Sequence, residues 1–294
     1  MVARVRAMTP DGIAKSARSA SRRYGTLTAS RRPLPDFLVV GAKKGGTTSV
    51  ANWLVHHPQV LPMFPRFQSA KSPHYFDINY WRGPDWYRSH FPSSMVREAH
   101  ERRSGVRPLV GESSPYYLFH PAAPQRIHDT IPDVKMIAVL REPVSRAHSN
   151  FWDRVASGSE DLATFEEAID AEPERLRGLS DGDLADPRAY NRHHDHHTYL
   201  ARGEYAGQLR RYFDVFDRDR LLILSADQLF REPGTVFSRI EKFLGIEPAD
   251  IELPAINVRA DKPPLDPATR DRLRAHYEPH NAELRELLGE DFGW

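Results

Sequence analysis

Val39–Leu54 reads VVGAKKGGTTSVANWL. A short apolar run ends at Gly41, a loop with two lysines and a glycine pair follows, and a helical pattern begins at Thr48. Gly45 and Gly46 let the backbone approach an anion closely, and successive N–H groups can point into the resulting nest. Thr47, Thr48 and Ser49 add hydroxyl donors, and the helix N-terminus adds partial positive charge. Lys44 is placed to reach a bridging or terminal phosphate oxygen. The spacing is not that of a nucleoside triphosphatase, which needs G-x-x-x-x-G-K-[ST]. Gly41 and Gly46 have the glycine spacing, but Thr47 stands where the lysine belongs. A Rossmann G-x-G-x-x-G is absent as well. The alternative is a structural turn with incidental lysines.

Working outward, Asp36–Gly41, RPLVGES (Arg107–Ser113), KMIAVLRE (Lys135–Glu142) and RLLILSADQL (Arg220–Leu229) read as buried strands, short and apolar between charged or glycine residues. Helical patterns lie between them, over Thr48–His57, Pro143–Ser157, Glu204–Phe216 and Pro233–Leu244. The alternation predicts an α/β fold, a central parallel sheet flanked by helices. Ligands then belong at the carboxyl ends of the strands. The Gly41 loop sits at one such end and Arg141 at another. Within LREPVSRAHSNFW (Leu140–Trp152), Ser149 follows Arg141 by roughly two helical turns. The pair can grip a second phosphate, or can merely face water. Together the two sites predict a ligand with two separated anionic groups. The irregular segments Pro62–Arg103 and Leu176–His197 suit the walls of a substrate cleft.

The 294 residues suffice for a substantial core. A net charge of +1 gives no field for nucleic acid. With no cysteine, disulfides, thiolate catalysis and zinc–thiolate sites are excluded; a reducing, cytoplasmic setting fits. No apolar run approaches the ~20 residues of a membrane span. Residues 1–32 are basic and rich in Ala and Ser, without the apolar core of a signal peptide. They are expected to be a flexible leader, with peripheral contact to anionic lipid as the alternative, ahead of one domain over 33–294.

At this point the sequence resembles the sulfotransferases that use 3'-phosphoadenosine 5'-phosphosulfate (PAPS), most closely the branch of the heparan sulfate enzymes and their bacterial homologues. The resemblance runs from about Pro35 to Trp294. GAKKGGTTS (Gly41–Ser49) is similar to the family's 5'-phosphosulfate loop, and LREPVSRAHSNFW to its 3'-phosphate motif. KSPHYFD (Lys71–Asp77), DWYRSHFP (Asp85–Pro92), GESSPYYLFHP (Gly111–Pro121) and DFGW (Asp291–Trp294) follow in order. The resemblance implies a P-loop-like sulfotransferase fold, PAPS as donor, PAP as product, and an acceptor with a hydroxyl or amine, such as a glycan or glycolipid. It implies that Lys44, Gly45, Gly46, Thr47, Thr48 and Ser49 bind the 5'-phosphate and sulfonate. Arg141 and Ser149 would bind the 3'-phosphate, with Arg259 and Lys262 on a closing basic loop. Two positions depart from the family. Ser72 replaces the glutamate taken as the base, and Ser113 replaces a lysine near the reaction centre.

The base must therefore be reassigned. His74, two residues beyond Ser72, is the first candidate, because an imidazole titrates near neutrality. Glu112 is second, with a buttressing role as its alternative, and Asp77 is third. In HHDHH (His193–His197), His193 and His197 have the spacing of a helical metal pair, but no third ligand is evident, and no metal is expected. Tyr116, Tyr117, Trp81, Trp86 and Tyr87 either stack on an acceptor or fill the core. Two other functions stay open: a PAPS- or PAP-binding homologue without catalysis, and a nucleotide-dependent kinase.

Overall fold

The structure is a computed structural model, and it describes residues 11–65, 72–256 and 262–294. Strands β1 (Phe37–Gly41), β2 (Val60–Leu61), β3 (Leu109–Ser113), β4 (Lys135–Leu140) and β5 (Leu221–Ser225) form one parallel sheet in the order β2-β3-β1-β4-β5. Side chains alternate across the sheet. Leu38, Val40, Met136, Ala138 and Leu140 enter one core; Phe37, Val39, Ile137 and Val139 enter the other. Both faces are buried, which is why the strands read as unbroken apolar runs.

The helices along the chain are α1 (Asp11–Leu27), α2 (Thr47–His56), α3 (Pro84–Arg88), α4 (Ser94–Ser104), α5 (Ala123–Thr130), α6 (Pro143–Ala156), α7 (Phe165–Arg175), α8 (Arg192–His196), α9 (Tyr205–Phe213), α10 (Ala226–Arg231), α11 (Pro233–Leu244) and α12 (Pro267–Leu288). Helix α2, through Val50 and Trp53, and α11, through Val236, Phe237 and Ile240, cover one face. Helix α5, through Ile127, and α9, through Tyr205, Leu209 and Tyr212, cover the other. A third cluster, around Phe151, Phe165, Tyr199 and Tyr277, packs α6, α7 and α12 together. From β1 the chain crosses toward β2 and β3, then returns past β1 to β4. The carboxyl ends of β1 and β4 therefore flank the switch point where open α/β sheets bind ligands. Among the described residues, no helix is long and apolar enough to cross a membrane.

Helices α1, α4 and α12 lie outside the helical patterns read from the sequence. Helix α4 buries only Arg97, α12 carries Pro279 in its interior, and α1 falls within the stretch expected to be a flexible leader. The end of that stretch is anchored to the domain. Arg22 donates to the Ser89 carbonyl and hydroxyl and to the Phe64 carbonyl. Arg32 is only 3% exposed. It donates to the Phe91 carbonyl and stacks 4.2 Å from the Phe64 ring centroid. Composition marks these arginines as solvated. The carbonyls past the end of α3, far along the chain, decide otherwise. Arg32→Ala leaves the buried Phe91 carbonyl without its donor, which costs roughly 1–3 kcal/mol. The thermal midpoint should fall by several degrees; a change within error would make this segment dispensable to the fold.

Candidate active site

The loop after β1 is pressed onto the end of β4. Ala42 N–H donates to the Val139 carbonyl at 2.9 Å, and Gly45 N–H closes back on the Ala42 carbonyl at 2.9 Å. A Cβ at Gly45 would lie 2.2 Å from the Val139 oxygen, so no other residue fits. Gly46 adopts φ +111° at the start of α2. Lys44, between the turn and the glycines, is held at φ +71°. A left-handed lysine costs of order 1–3 kcal/mol and persists only where its surroundings enforce it.

This loop floors a cavity of about 410 Å³. Lys44, Gly46, Thr47 and Thr48 contribute one wall, Arg141 and Ser149 a second, and Phe230, Ile256 and Lys262 a third. The Glu142 side chain caps α6 by accepting from Val144 N–H and Ser145 N–H, with Pro143 in the first turn. That cap fixes the helix immediately after Arg141. Ser149 and Asp153, one turn apart on α6, then both address the loop. Lys44 Nζ donates to Asp153 Oδ1 at 2.8 Å. Arg141 donates to the Lys44 carbonyl at 3.4 Å, and its own carbonyl accepts from the Tyr205 hydroxyl at 2.8 Å.

Positive charge is crowded here. Burial lowers the Arg141 guanidinium below its ordinary value. Burial, then Arg141 and Lys44, lower the Lys262 ammonium. No ion pair within the described residues involves Arg141 or Lys262. An anion in the cavity would relieve both the repulsion and the desolvation. A second cavity of about 440 Å³ shares Arg141 and Lys262 and adds Ser145, His148, Arg270 and Arg274. The pair together match the size of an elongated ligand with more than one anionic group.

Two of the expected contact residues lie elsewhere. Gly45 sits beneath the loop, against β4. Ser49 Oγ accepts from Ile256 N–H at 3.0 Å, tethering the segment that roofs the cavity. Arg259 lies outside the described residues. Phe230 and Asp153 were not foreseen: Phe230 arrives from α10 with no motif, and Asp153 stands directly after the LREPVSRAHSNFW motif, one turn beyond Ser149, where that spacing could have found it.

The carboxyl end of β3, next to β1, holds the candidate bases. Ser72 Oγ donates to the Ser113 carbonyl, and His74 N–H donates to Ser114 Oγ. The segment carrying His74 is thus fixed at the same sheet edge as the glycine loop. His74 lies at φ +50°, and it and Lys44 are the non-glycine residues with positive φ among the described residues. Its Nδ1 lies 2.8 Å from the buried Asp77 Oδ2. Arg126 of α5 donates to the Phe76 and Asp77 carbonyls, locking that turn. Burial opposes charge on the imidazole, but Asp77, helped by Asp195 and Glu112, outweighs it and holds His74 above its ordinary value. With Nδ1 committed to Asp77, Nε2 is the nitrogen available to an acceptor.

Glu112 is differently placed. It is buried, and its two oxygens accept from Tyr117 OH at 2.7 Å, Ser114 Oγ at 2.8 Å and Tyr87 OH at 3.3 Å. Burial pushes its carboxyl up to about 7. A group so enclosed is placed to brace the β3 loop, the buttressing role that stands as the alternative to its being the base.

With this geometry in place, the comparison with known proteins is direct: the sulfotransferase domain profile matches residues 34–260. The chain belongs to the sulfotransferase domain family. A sulfotransferase from Alicyclobacillus acidocaldarius superposes with a TM-score of 0.62 at 30% identity, covering 88% of this chain and 97% of that one. Human bifunctional heparan sulfate N-deacetylase/N-sulfotransferase 3 is 30% identical over 87% of this chain, which spans only 30% of that protein's length. Mouse heparan sulfate glucosamine 3-O-sulfotransferase 6 is 27% identical, over 90% of this chain and 75% of its own. The resemblance carried by the six motif blocks is borne out.

In this sulfotransferase domain the HHDHH run serves the loop. Lys43 Nζ donates to the Asp195 carbonyl at 3.0 Å and to Oδ1 at 3.2 Å. Arg202 donates to the His194 and Asp195 carbonyls. Burial, then the neighbouring Arg202, lower the Lys43 ammonium to about 7. His194 Nδ1 lies 2.6 Å from Tyr116 OH, and His197 Nε2 lies 2.7 Å from the Ser159 carbonyl. Of the singled-out aromatics, Tyr87, Tyr116 and Tyr117 are core, while Trp81 is exposed. Arg82 stacks on Trp81, 4.5 Å from its ring centroid.

The Glu112 carboxyl yields a stability test. Its folded value, about 7, lies above the ordinary 4.5, so between them the native state binds more protons than the unfolded state. Its contribution is therefore favourable at low pH and is lost as pH rises through about 7. Glu112→Gln removes this titration. Between pH 5 and 8 its stability should rise relative to the wild type, by at most on the order of 3 kcal/mol. A pH-independent difference in thermal midpoint would mean that Glu112 ionises as an ordinary carboxyl.

Proposed function

We propose that this protein transfers a sulfuryl group from PAPS to a hydroxyl or amine of an acceptor, with a glycan as the acceptor class. The observation that carries the reading is the convergence of Lys44, Arg141 and Lys262 on a cavity floored by a glycine loop. The relatives named for heparan sulfate support the acceptor class.

When bound, PAPS supplies an activated sulfuryl group and leaves as PAP. Lys44, the α2 N-terminus and the hydroxyls of Thr47 and Thr48 receive the 5'-phosphosulfate. Positioning and electrostatics dominate such transfers, because charge builds on the leaving oxygen as the bond breaks. Lys44 exchanges Asp153 for that oxygen. Arg141, Ser149 and Lys262 hold the 3'-phosphate, and the half-exposed Phe230 offers its ring to the purine. His74 Nε2 takes the acceptor's proton as the new bond to sulfur forms, while Asp77 fixes the tautomer and stabilises the imidazolium. A second reading, a binder without turnover, rests on Ser72 and on the enclosure of Glu112, which together leave His74 to act without a second base.

Lys44→Ala should lower turnover by about 10²–10³. Arg141→Ala should weaken PAP far more than it weakens AMP, measured by calorimetry, since only PAP carries a 3'-phosphate. Equal losses would remove Arg141 from that role. His74→Ala should lower kcat by at least about 10² while leaving PAP affinity unchanged. A base must be neutral, so the wild-type rate should fall as pH drops through the raised His74 value. Asp77→Asn removes the raising charge, and its acidic limb should move to lower pH. An unmoved limb would place the base elsewhere, and no sulfated product from any glycan acceptor tried, with PAP binding intact, would favour the binder.

A further inference from the structure

Away from the anion cavity, α12 carries His276 and His280 four residues apart, so both rings lie on one helix face. Glu204 faces them from the turn that precedes α9. Glu204 Oε1 lies 3.3 Å from His276 Nε2 and 3.7 Å from His280 Nε2. One donor atom from each residue lies within 4.8 Å of the other two.

These separations match a coordination polyhedron. An ion with nitrogen and oxygen ligands at about 2.0–2.1 Å in tetrahedral geometry sets its ligands about 3.3–3.4 Å apart. The Glu204–His276 distance of 3.3 Å falls on that edge, and the Glu204–His280 distance of 3.7 Å lies a little beyond it. His276 Nε2 is shielded from solvent and makes no hydrogen bond among the described residues, although the carboxylate is beside it. The nitrogen and the oxygen converge without an N–H aligned between them. Both sides of the cluster sit on ordered elements. Tyr277, next to His276, donates its hydroxyl to the Leu200 carbonyl at 2.9 Å, tying α12 to the turn that bears Glu204. All three residues are half-exposed, which leaves a path for the ion and a place for water.

We propose that Glu204, His276 and His280 form a zinc(II) site, two imidazoles and a carboxylate with water in the fourth position. Two histidines and one carboxylate suit zinc among the common divalent ions, and oxygen-seeking magnesium or calcium poorly. The ion would staple α12 to the start of α9. Tyr205, the residue after Glu204, holds the Arg141 carbonyl, so the staple braces the cavity wall from behind. The sequence draws attention to His193 and His197 instead, but His193 Nδ1 lies 2.9 Å from His197 Nδ1, each ring engaging the other.

The test uses the full chain without a histidine tag, stripped by a chelator and dialysed against zinc chloride. One equivalent of zinc should remain by elemental analysis, and the thermal midpoint should rise by about 5 °C at saturating zinc. Cobalt(II) should give the intense visible absorption of a tetrahedral site. His280→Asn and Glu204→Gln should each weaken zinc binding at least about tenfold, while His193→Asn should leave it unchanged. Substoichiometric zinc in the wild type, an octahedral cobalt spectrum, or loss of zinc with His193→Asn would overturn the proposal. The cobalt spectrum of the wild type decides the matter even where a variant fails to fold.

Discussion

The architecture depends on one close approach: the glycine loop after β1 lying against the Val139 carbonyl of β4. The two strands are parallel neighbours, and their register slips between Val39 and Gly41, so the loop turns directly over the end of β4. Because Gly45 has no side chain, the turn can seat there, and Ala42 N–H can reach Val139. Everything that makes the cavity follows from that seating. It brings the Lys44 carbonyl to Arg141, aims the α2 N-terminus across the crevice, and sets Lys44 opposite the α6 face that carries Ser149 and Asp153. A side chain at Gly45 would lift the loop and separate these groups together.

The same seating forces cations into a confined space, and the structure distributes their counter-charges unevenly. Lys43 turns toward Asp195 and Lys44 toward Asp153, while among the described residues Arg141 and Lys262 have no ion pair. Holding two such cations half-desolvated is unfavourable in the free protein. The cost becomes affinity when an anion arrives, because the ligand replaces repulsion with attraction. Asp153 tempers the arrangement: it pairs with Lys44, whose ammonium would have to leave it for a ligand oxygen. The left-handed backbone at Lys44 and at His74 has the same character, local strain held by the surrounding fold at the two positions where chemistry is proposed.

Much of this was legible in the chain itself. The four long strands were found, because strands buried on both faces need unbroken apolar runs, but their ends were not: the run from Arg220 to Leu229 reads as one strand, while the strand stops at Ser225 and a helix begins at Ala226. The glycine loop and the Arg141–Ser149 pair read correctly as neighbours at the carboxyl edge, because parallel topology sends every βα turn there. Elements with a weak, interrupted or very short apolar pattern did not read. Helix α4 presents only Arg97 to the interior, α12 is interrupted by Pro279, and β2 is two residues long.

What the sequence determined by itself is the class of fold and the residue types of the glycine loop, which follow from local spacing and backbone freedom, and the family, which follows from the resemblance of six motif blocks. Tertiary structure alone decided the condition of each titratable side chain. His74 and Glu112 are both acid–base residues near the ends of matching motifs. One has a ring nitrogen open beside a buried carboxylate, and the other is closed in by three hydroxyls. Lys43 and Lys44 are adjacent, yet they pair with aspartates 152 and 109 residues away. The physical reason is that proton affinity and reach depend on burial and on partners. Both are supplied by segments remote along the chain, so no local pattern records them.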